Sequence, residues 1–299
     1  MSIGPVEDHR KREKGVLVYP VYSRRSGGLS VGINLFPDRK ACSFDCPYCE
    51  VFPFNAGQSS PFPGFSLHSL QLMEADLIEA LAHAKEQNIT VRDICFSGNG
   101  EPTQSPHFPS ALEAAFRIRD SKVPGAELVL ITNGTGLLND KTFDLLRGAA
   151  CGNTAAPDVQ GAGQDSPAAT GRLCIWLKLD AGTPDWYRAM SRSSIPFERL
   201  MEKIRAFVKC APVTLQTMIC AVNNRPPPPE EKRAWEALVA ELASSAAELG
   251  GVQIYGKARP APEDPLAAPL PVTFLEARAA SLRAVLASAA REIPVWVFP

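Results

Sequence analysis

The stretch Ala41-Cys42-Ser43-Phe44-Asp45-Cys46-Pro47-Tyr48-Cys49 puts three thiols on one short loop, spaced C-x3-C-x2-C. Three thiolates so spaced can wrap one face of a cubane iron–sulfur cluster and bind three of its four irons. A structural zinc site needs four ligands in a closed tetrahedron, and a ferredoxin cluster takes four cysteines. No fourth Cys or His stands close by; the next are His68 and Cys95. An open iron is what a cluster needs if it must bind a substrate or cofactor directly. A zinc knot, or thiols with no metal, is the plain alternative for the same spacing.

Outward from this loop the chain alternates between two periods. Val16–Tyr22 and Ser30–Leu35 read as short strands that lead into it. Leu70–Lys85 carries Leu70, Met73, Leu77, Ile78 and Leu81 at helical spacing, Val91–Phe96 is a β-rich run, and Ser110–Arg119 is helical. Strand Glu127–Ile131 and helix Asp140–Arg147 follow. Residues 149–171, rich in Ala, Gly, Pro, Asp and Gln, have little to bury and read as a disordered surface insertion. The alternation resumes with strand Leu173–Leu179, helix Phe197–Lys209 and strand Val213–Ile219. It ends with helix Glu230–Leu249, strand Gly251–Tyr255, helix Pro271–Ala290 and strand Ile293–Phe298. Such alternation implies a mostly parallel sheet covered by helices. About six units fit an α/β fold of incomplete (β/α)6 type, a TIM-like barrel, better than an open doubly wound sheet. The expected organisation is an N-terminal arm and short strand over residues 1–22, then one partial barrel over 23–299.

Composition narrows the function classes. The chain has 299 residues, 45% of them hydrophobic, enough for one large core. With 31 Lys+Arg against 32 Asp+Glu it is no broadly basic nucleic-acid coat. No apolar run approaches the roughly 20 residues that span a bilayer, and the polar N-terminus lacks the core of a signal peptide. Eight cysteines, three of them crowded together, suit free thiols in a reducing compartment rather than a disulfide framework. A cytoplasmic protein without a membrane partner is the expectation.

The cysteine spacing, with an aromatic residue just before the third cysteine, resembles the motif of the radical S-adenosylmethionine (SAM) superfamily. The resemblance implies a [4Fe-4S] cluster on Cys42, Cys46 and Cys49, whose open iron chelates SAM. It implies reductive cleavage of SAM to a 5′-deoxyadenosyl radical that abstracts hydrogen from a substrate. It also implies a flavodoxin- or ferredoxin-type electron donor, and places the Tyr48 backbone near the adenine. The run Ser97-Gly98-Asn99-Gly100-Glu101-Pro102 resembles the superfamily's Gly-Gly-Glu element, which binds the SAM amino group, although Asn99 separates the glycines. Asn133, in a strand-ending Thr132-Asn133-Gly134, is placed at the ribose, with a simple Asn-Gly turn as the alternative. Lys178 and Asp180 put a cation and an anion at the end of an apolar strand. Either SAM or a plain ion pair supplies their partner. Gln216 joins the cofactor-binding set toward the substrate side, with the run from Gln253 to Pro260 beyond it. Cys95, Cys174, Cys210 and Cys220 read as inert core thiols. Cys42–Cys49, Ser97–Pro102, Thr132–Gly134 and Asp180–Gly182 all follow strands, so they should meet at one mouth.

The resemblance extends over roughly Ser23–Pro260 and is nearest to bacterial proteins related to the tRNA wyosine-synthesis enzymes. Those enzymes use a second cluster bound by cysteines ahead of the motif. Residues 1–41 here contain no cysteine, which sets wyosine synthesis itself in doubt. RNA, tRNA in particular, stays as a candidate substrate. His9–Lys14, Arg24, Arg25, Arg39 and Lys40 bring basic charge toward the cluster, although a solvated charged arm is the simpler reading. Two other classes remain: a non-catalytic iron–sulfur electron carrier and a zinc-binding structural module.

Overall fold

The structure is a computed structural model and describes residues 16–37, 40–51, 67–152, 172–261, 266–287 and 292–299. Residues 1–15 of the expected arm and 153–171 of the expected insertion lie outside the described residues. Ten strands and seven α-helices are described: β1 (Val18–Ser23), β2 (Gly28–Ile33), α1 (Leu67–Glu86), β3 (Val91–Phe96), α2 (Phe108–Lys122), β4 (Glu127–Thr132), α3 (Asp140–Ala150), β5 (Leu173–Lys178), α4 (Pro184–Ser191), α5 (Phe197–Val208), β6 (Val213–Ile219), β7 (Ala221–Val222), α6 (Pro229–Ser245), β8 (Leu249–Gly256), β9 (Ala267–Ala268), α7 (Val272–Leu286) and β10 (Val295–Phe298).

Eight strands form one sheet in the order β1-β2-β3-β4-β5-β6-β8-β10, and β7 pairs with β9 in a separate two-stranded ribbon. β1 runs antiparallel to β2; the other pairings of the large sheet are parallel. Six β/α units and a closing strand therefore build a curled partial barrel, with the β1–β2 hairpin added at one edge. Residues of both edge strands, Tyr19, Val21, Tyr22 and Ser23 on β1 and Phe298 on β10, line the same cavity.

Alternation along each strand divides the sheet into two faces. One face carries Ile94, Leu128 and Leu173 in register, then Leu177, Leu215 and Val252. These pack beneath the helices in one large core, with Met73, Leu77 and Leu81 of α1 and Leu200, Ile204 and Phe207 of α5. The recurrence at three and four positions is what makes those segments helices with one buried stripe. The other face looks into the barrel.

Several local outcomes differ from the sequence reading, and three are instructive. α6 ends at Ser245, four residues before the expected Leu249, because Leu249 pairs with Val213 and begins β8. The tertiary ladder outweighs helix propensity there. α4 is an additional helix that hydrophobic periodicity over eight residues does not reveal. Its start is nevertheless encoded: Thr183 accepts the Trp186 N–H at 3.3 Å, and Pro184 opens the first turn. α3 runs through Ala150, so the first two positions of the expected insertion are helical.

Candidate functional site

The cysteine loop lies across the carboxyl ends of the strands, where backbone and side chains fasten it. Ala41 bridges Gly100: its N–H donates to the Asn99 carbonyl at 3.0 Å, and its carbonyl accepts the Glu101 N–H at 2.8 Å. A Cβ on Gly100 would stand 2.0 Å from the Ala41 oxygen, so only glycine permits this approach. Gly98 has φ +122, and a Cβ there would meet the Asn34 side chain at 2.7 Å. Asn34 Oδ1 accepts the N–H groups of Phe36 and Asn99, both at 3.1 Å, stapling the two loops together. Asn34 is a positioning residue the sequence reading did not single out; it was legible only as a polar residue ending an apolar strand.

α4 clamps the other side. Asp45 N donates to the Ser191 carbonyl at 2.7 Å, while its carboxylate binds Lys40 at 2.5 Å and faces Arg192 at 3.7 Å. Burial works against the Lys40 charge, but Cys49 and Asp45 outweigh it and hold its pKa above the ordinary lysine value.

Cys42 sulfur accepts two N–H donors, Asn133 Nδ2 at 3.3 Å and Phe44 N at 3.4 Å. Such donors favour a thiolate. Burial acts in the opposite sense and pushes the Cys42 thiol up to about 11 and Cys46 up to about 12. Bound iron, by its own charge, would draw off those protons. Among the described residues no three His, Cys, Asp or Glu gather around a single ion. Thiolates that each bind a different iron need not meet at a point. The donor set and its N–H partners therefore fit a cluster.

Glu101 is buried and accepts from Thr103 N and Oγ1, Thr132 Oγ1 and Asn133 N, at 3.2, 2.6, 2.7 and 2.8 Å. Burial raises its pKa above the usual carboxylate value, and the four donors temper the rise. It ties the Gly-rich loop to the end of β4. Asn133 Oδ1 in turn accepts from Thr135 N at 2.9 Å and Thr135 Oγ1 at 2.7 Å.

Lys178 and Asp180 find each other, at 3.1 Å, and are nearly covered. Asp180 Oδ1 accepts the Met218 N–H at 2.8 Å and Oδ2 takes the Tyr48 hydroxyl, so this carboxylate joins β5, β6 and the cysteine loop. Lys178 donates to the Tyr255 hydroxyl and lies over the rings of Tyr48 and Tyr255. Burial opposes its charge, but Asp180 foremost among its neighbours holds the pKa above the ordinary value. Gln216 is fully buried; its Nε2 donates to Gln253 at 2.6 Å and its Oε1 accepts from Arg25 at 3.4 Å.

Beneath the loop opens a cavity of about 300 Å³. Tyr48, Cys49, Gly98 and Asn99 line it, as do Tyr255, Lys257 and Arg259. Glu101, Asn133, Lys178 and Gln216 are not among the residues that line it. Cys95 is a buried core thiol as expected, packed with Val129 and Trp176, and it also borders the cavity beside Asp93 and Ser97. Arg25 turns inward from the hairpin, 5.8 Å from the Trp176 ring and 5.2 Å from the Tyr255 ring.

A β/α partial barrel with a three-cysteine loop stitched over its carboxyl end defines a class of cofactor-dependent barrel enzymes. The radical SAM superfamily model matches residues 39–225, and the chain belongs to that superfamily. Membership implies an enzyme, with a [4Fe-4S] cluster and SAM as its cofactors. A UPF0026 protein of Helicobacter pylori is 30% identical over 138 residues, 46% of this chain and 41% of that protein. UPF0026 protein slr1464 of Synechocystis is 32% identical over 121 residues, 40% of each chain. The matched segment thus spans about four tenths of these curated relatives. Among solved structures, a radical SAM methyltransferase from Sphaerobacter thermophilus superposes with TM-score 0.61 and 15% identity, covering 94% of this chain and 68% of that one. Streptococcus suis SuiB gives TM-score 0.57 and 11% identity, covering 92% and 51%. At such identities the likeness is one of fold. No helix among the described residues is long and apolar enough to cross a membrane.

Proposed function

We propose that Cys42, Cys46 and Cys49 hold a [4Fe-4S] cluster with which this chain cleaves SAM reductively and oxidises a substrate C–H bond. When bound, the cluster supplies the electron that converts SAM to methionine and a 5′-deoxyadenosyl radical. The observation that carries this reading is the hydrogen-bonded closure of the cysteine loop on the Gly98–Glu101 and Asn133 loops at the strand ends. The chain's own groups have separate tasks. Asn133 and the Phe44 N–H steady the Cys42 sulfur, and Lys40 balances thiolate charge. Tyr48, Asp180 and Lys178 fix the height of the loop over the cavity. The cavity walls exclude water from a reactive radical and hold one C–H bond in reach. A flavodoxin- or ferredoxin-type donor in a reducing cytoplasm would deliver the electron.

The resemblance to the wyosine branch makes tRNA the first macromolecule to screen. Of the basic residues named for it, His9–Lys14 and Arg39 lie outside the described residues; Lys40 is engaged by Asp45, Arg25 points into the cavity and Arg24 is exposed.

The test is anaerobic reconstitution with iron and sulfide, reduction in the presence of SAM, and chromatography for 5′-deoxyadenosine. Wild-type protein should form it, while Cys46→Ala should keep its circular dichroism and lose both the cluster absorbance and the product. Protein that took up zinc alone, or carried a cluster that never cleaved SAM, would move the assignment to a structural or electron-carrying role.

A further inference from the structure

The Gly98–Glu101 loop is held from both sides by one hairpin. Beside Asn99 stands Asn34, just past the end of β2, whose Oδ1 accepts the Asn99 N–H at 3.1 Å. Asn34 is itself pinned to the chain that enters β1. Its backbone N–H donates to the Leu17 carbonyl at 2.7 Å, and its Nδ2 to the Val16 carbonyl at 3.1 Å. Beside Ser97 stands Tyr19 of β1, whose hydroxyl shares a hydrogen bond of 2.7 Å with Ser97 Oγ. The Ser97 N–H meanwhile donates to the Ile33 carbonyl of β2 at 3.0 Å.

That reach, from an edge strand across its neighbour to the end of β3, depends on one glycine. Tyr19 pairs with Gly32 of β2, and Gly32 pairs with Cys95 of β3. A Cβ on Gly32 would stand 2.2 Å from Tyr19 Cζ, so the phenol crosses the inner face only where β2 offers no side chain. Tyr19 is buried and borders the cavity together with Ser97, Gly98 and Asn99. Phenylalanine would serve packing alone. The hydroxyl at the end of the ring must be desolvated, and it is matched to the residue that opens the loop. Ser97 also bonds the Cys95 side chain, so β1, β3 and the loop meet at its hydroxyl.

We propose that Tyr19 is a positioning residue. Through Ser97 it braces the Gly98–Glu101 loop in the form that, granted the radical chemistry above, takes the SAM amino group.

Two readouts test this, one of them without cofactor. In metal-free protein, hydrogen exchange read by mass spectrometry should be faster over residues 97–104 in Tyr19→Phe and in Ser97→Ala than in wild type. Exchange in β4 and β6 should keep the wild-type rate, which separates a loosened loop from general unfolding. In cluster-loaded protein, equilibrium dialysis should show either variant binding SAM about threefold to tenfold more weakly, the loss of one neutral hydrogen bond. The double variant should bind SAM no more weakly than either single one, because both remove the same bond. Ser97→Thr keeps the hydroxyl and should restore the affinity. Wild-type exchange over 97–104 in Tyr19→Phe overturns the proposal. So does faster exchange at unchanged SAM affinity, which would leave the bond a matter of packing. Losses that add in the double variant overturn it too, since Tyr19 would then act on the ligand directly. Cluster-loaded wild type that binds no SAM sinks the radical reading instead, and exchange in the metal-free variants then decides the brace by itself.

Discussion

The two faces of the eight-stranded sheet are written by alternate residues of the same strands and follow opposite rules. On the outer face Leu177, Leu215 and Val252 lie in register, each fully buried under helices. One position further along, Lys178, Gln216 and Gln253 lie in register on the inner face. The aliphatic row needs only volume and dryness. The polar row needs each donor matched to an acceptor, at the cost of desolvating charge. A sheet designed for stability alone would be aliphatic on both faces, as buried parallel strands usually are. The inner face therefore spends stability on polar pairing that packing alone does not require.

The largest effect should come from breaking the inner row at its anchor. Asp180→Ala strands Lys178 as a buried, unpaired cation and frees both Met218 N and the Tyr48 hydroxyl. Loss of one partner of a buried pair costs about 3–5 kcal/mol. Urea unfolding should register this, and limited proteolysis should find the cysteine loop newly accessible. An intact loop at wild-type stability would mean that the pair does not anchor it. Next comes the outer row: Leu215→Ala should cost about 2–5 kcal/mol through lost burial and a cavity. Its 5′-deoxyadenosine yield per folded, cluster-loaded molecule should match wild type, because Leu215 touches no part of the site. A yield that fell with stability intact would blur the division between the faces.

The outer face was largely legible in the sequence, and the inner face only in part. Periodicity fixes where Leu and Ile recur, so β3 and β6 have the ends expected of them, and the motifs that follow the strands do meet at one mouth. Periodicity says nothing about which polar side chains pair across strands, since that depends on register. Lys178 and Asp180 read equally as SAM ligands or as an ion pair; the structure joins them to each other and to Tyr48 and Tyr255. Arg25 looked like a mouth residue that could meet phosphate, but its inward turn over Trp176 depends on how the hairpin folds across the sheet's open side. Cys95 is the core thiol expected of it, but that its small cluster with Val129 and Trp176 lies on the inner face beside the cavity depends on the curl of the sheet. Asp93, within the run Val91-Arg92-Asp93-Ile94-Cys95-Phe96, carried the strongest unused signal: an acid inside a short apolar strand requires a reason.

The smallest expected effect tests that reason and has the opposite sign. Burial raises the Asp93 pKa above the ordinary carboxylate value, against the pull of Ser26, Ser30, Arg25 and Arg92. Between the ordinary and raised values the folded protein binds more protons than the unfolded chain. Stability should therefore fall as pH rises through that window, with the full cost present once Asp93 is ionised in both states. Asp93→Asn removes the buried charge and keeps an oxygen for the Ser30 hydroxyl. At neutral pH it should be more stable than wild type by about 0.5–2 kcal/mol, the usual return on relieving a functional residue of its strain. The gain should shrink as pH drops into the ordinary carboxylate range, where the native Asp93 is already neutral. Urea midpoints at four or five pH values would trace the difference. A variant less stable than wild type at neutral pH would show that Ser26, Ser30 and the nearby arginines more than offset the burial of the Asp93 charge.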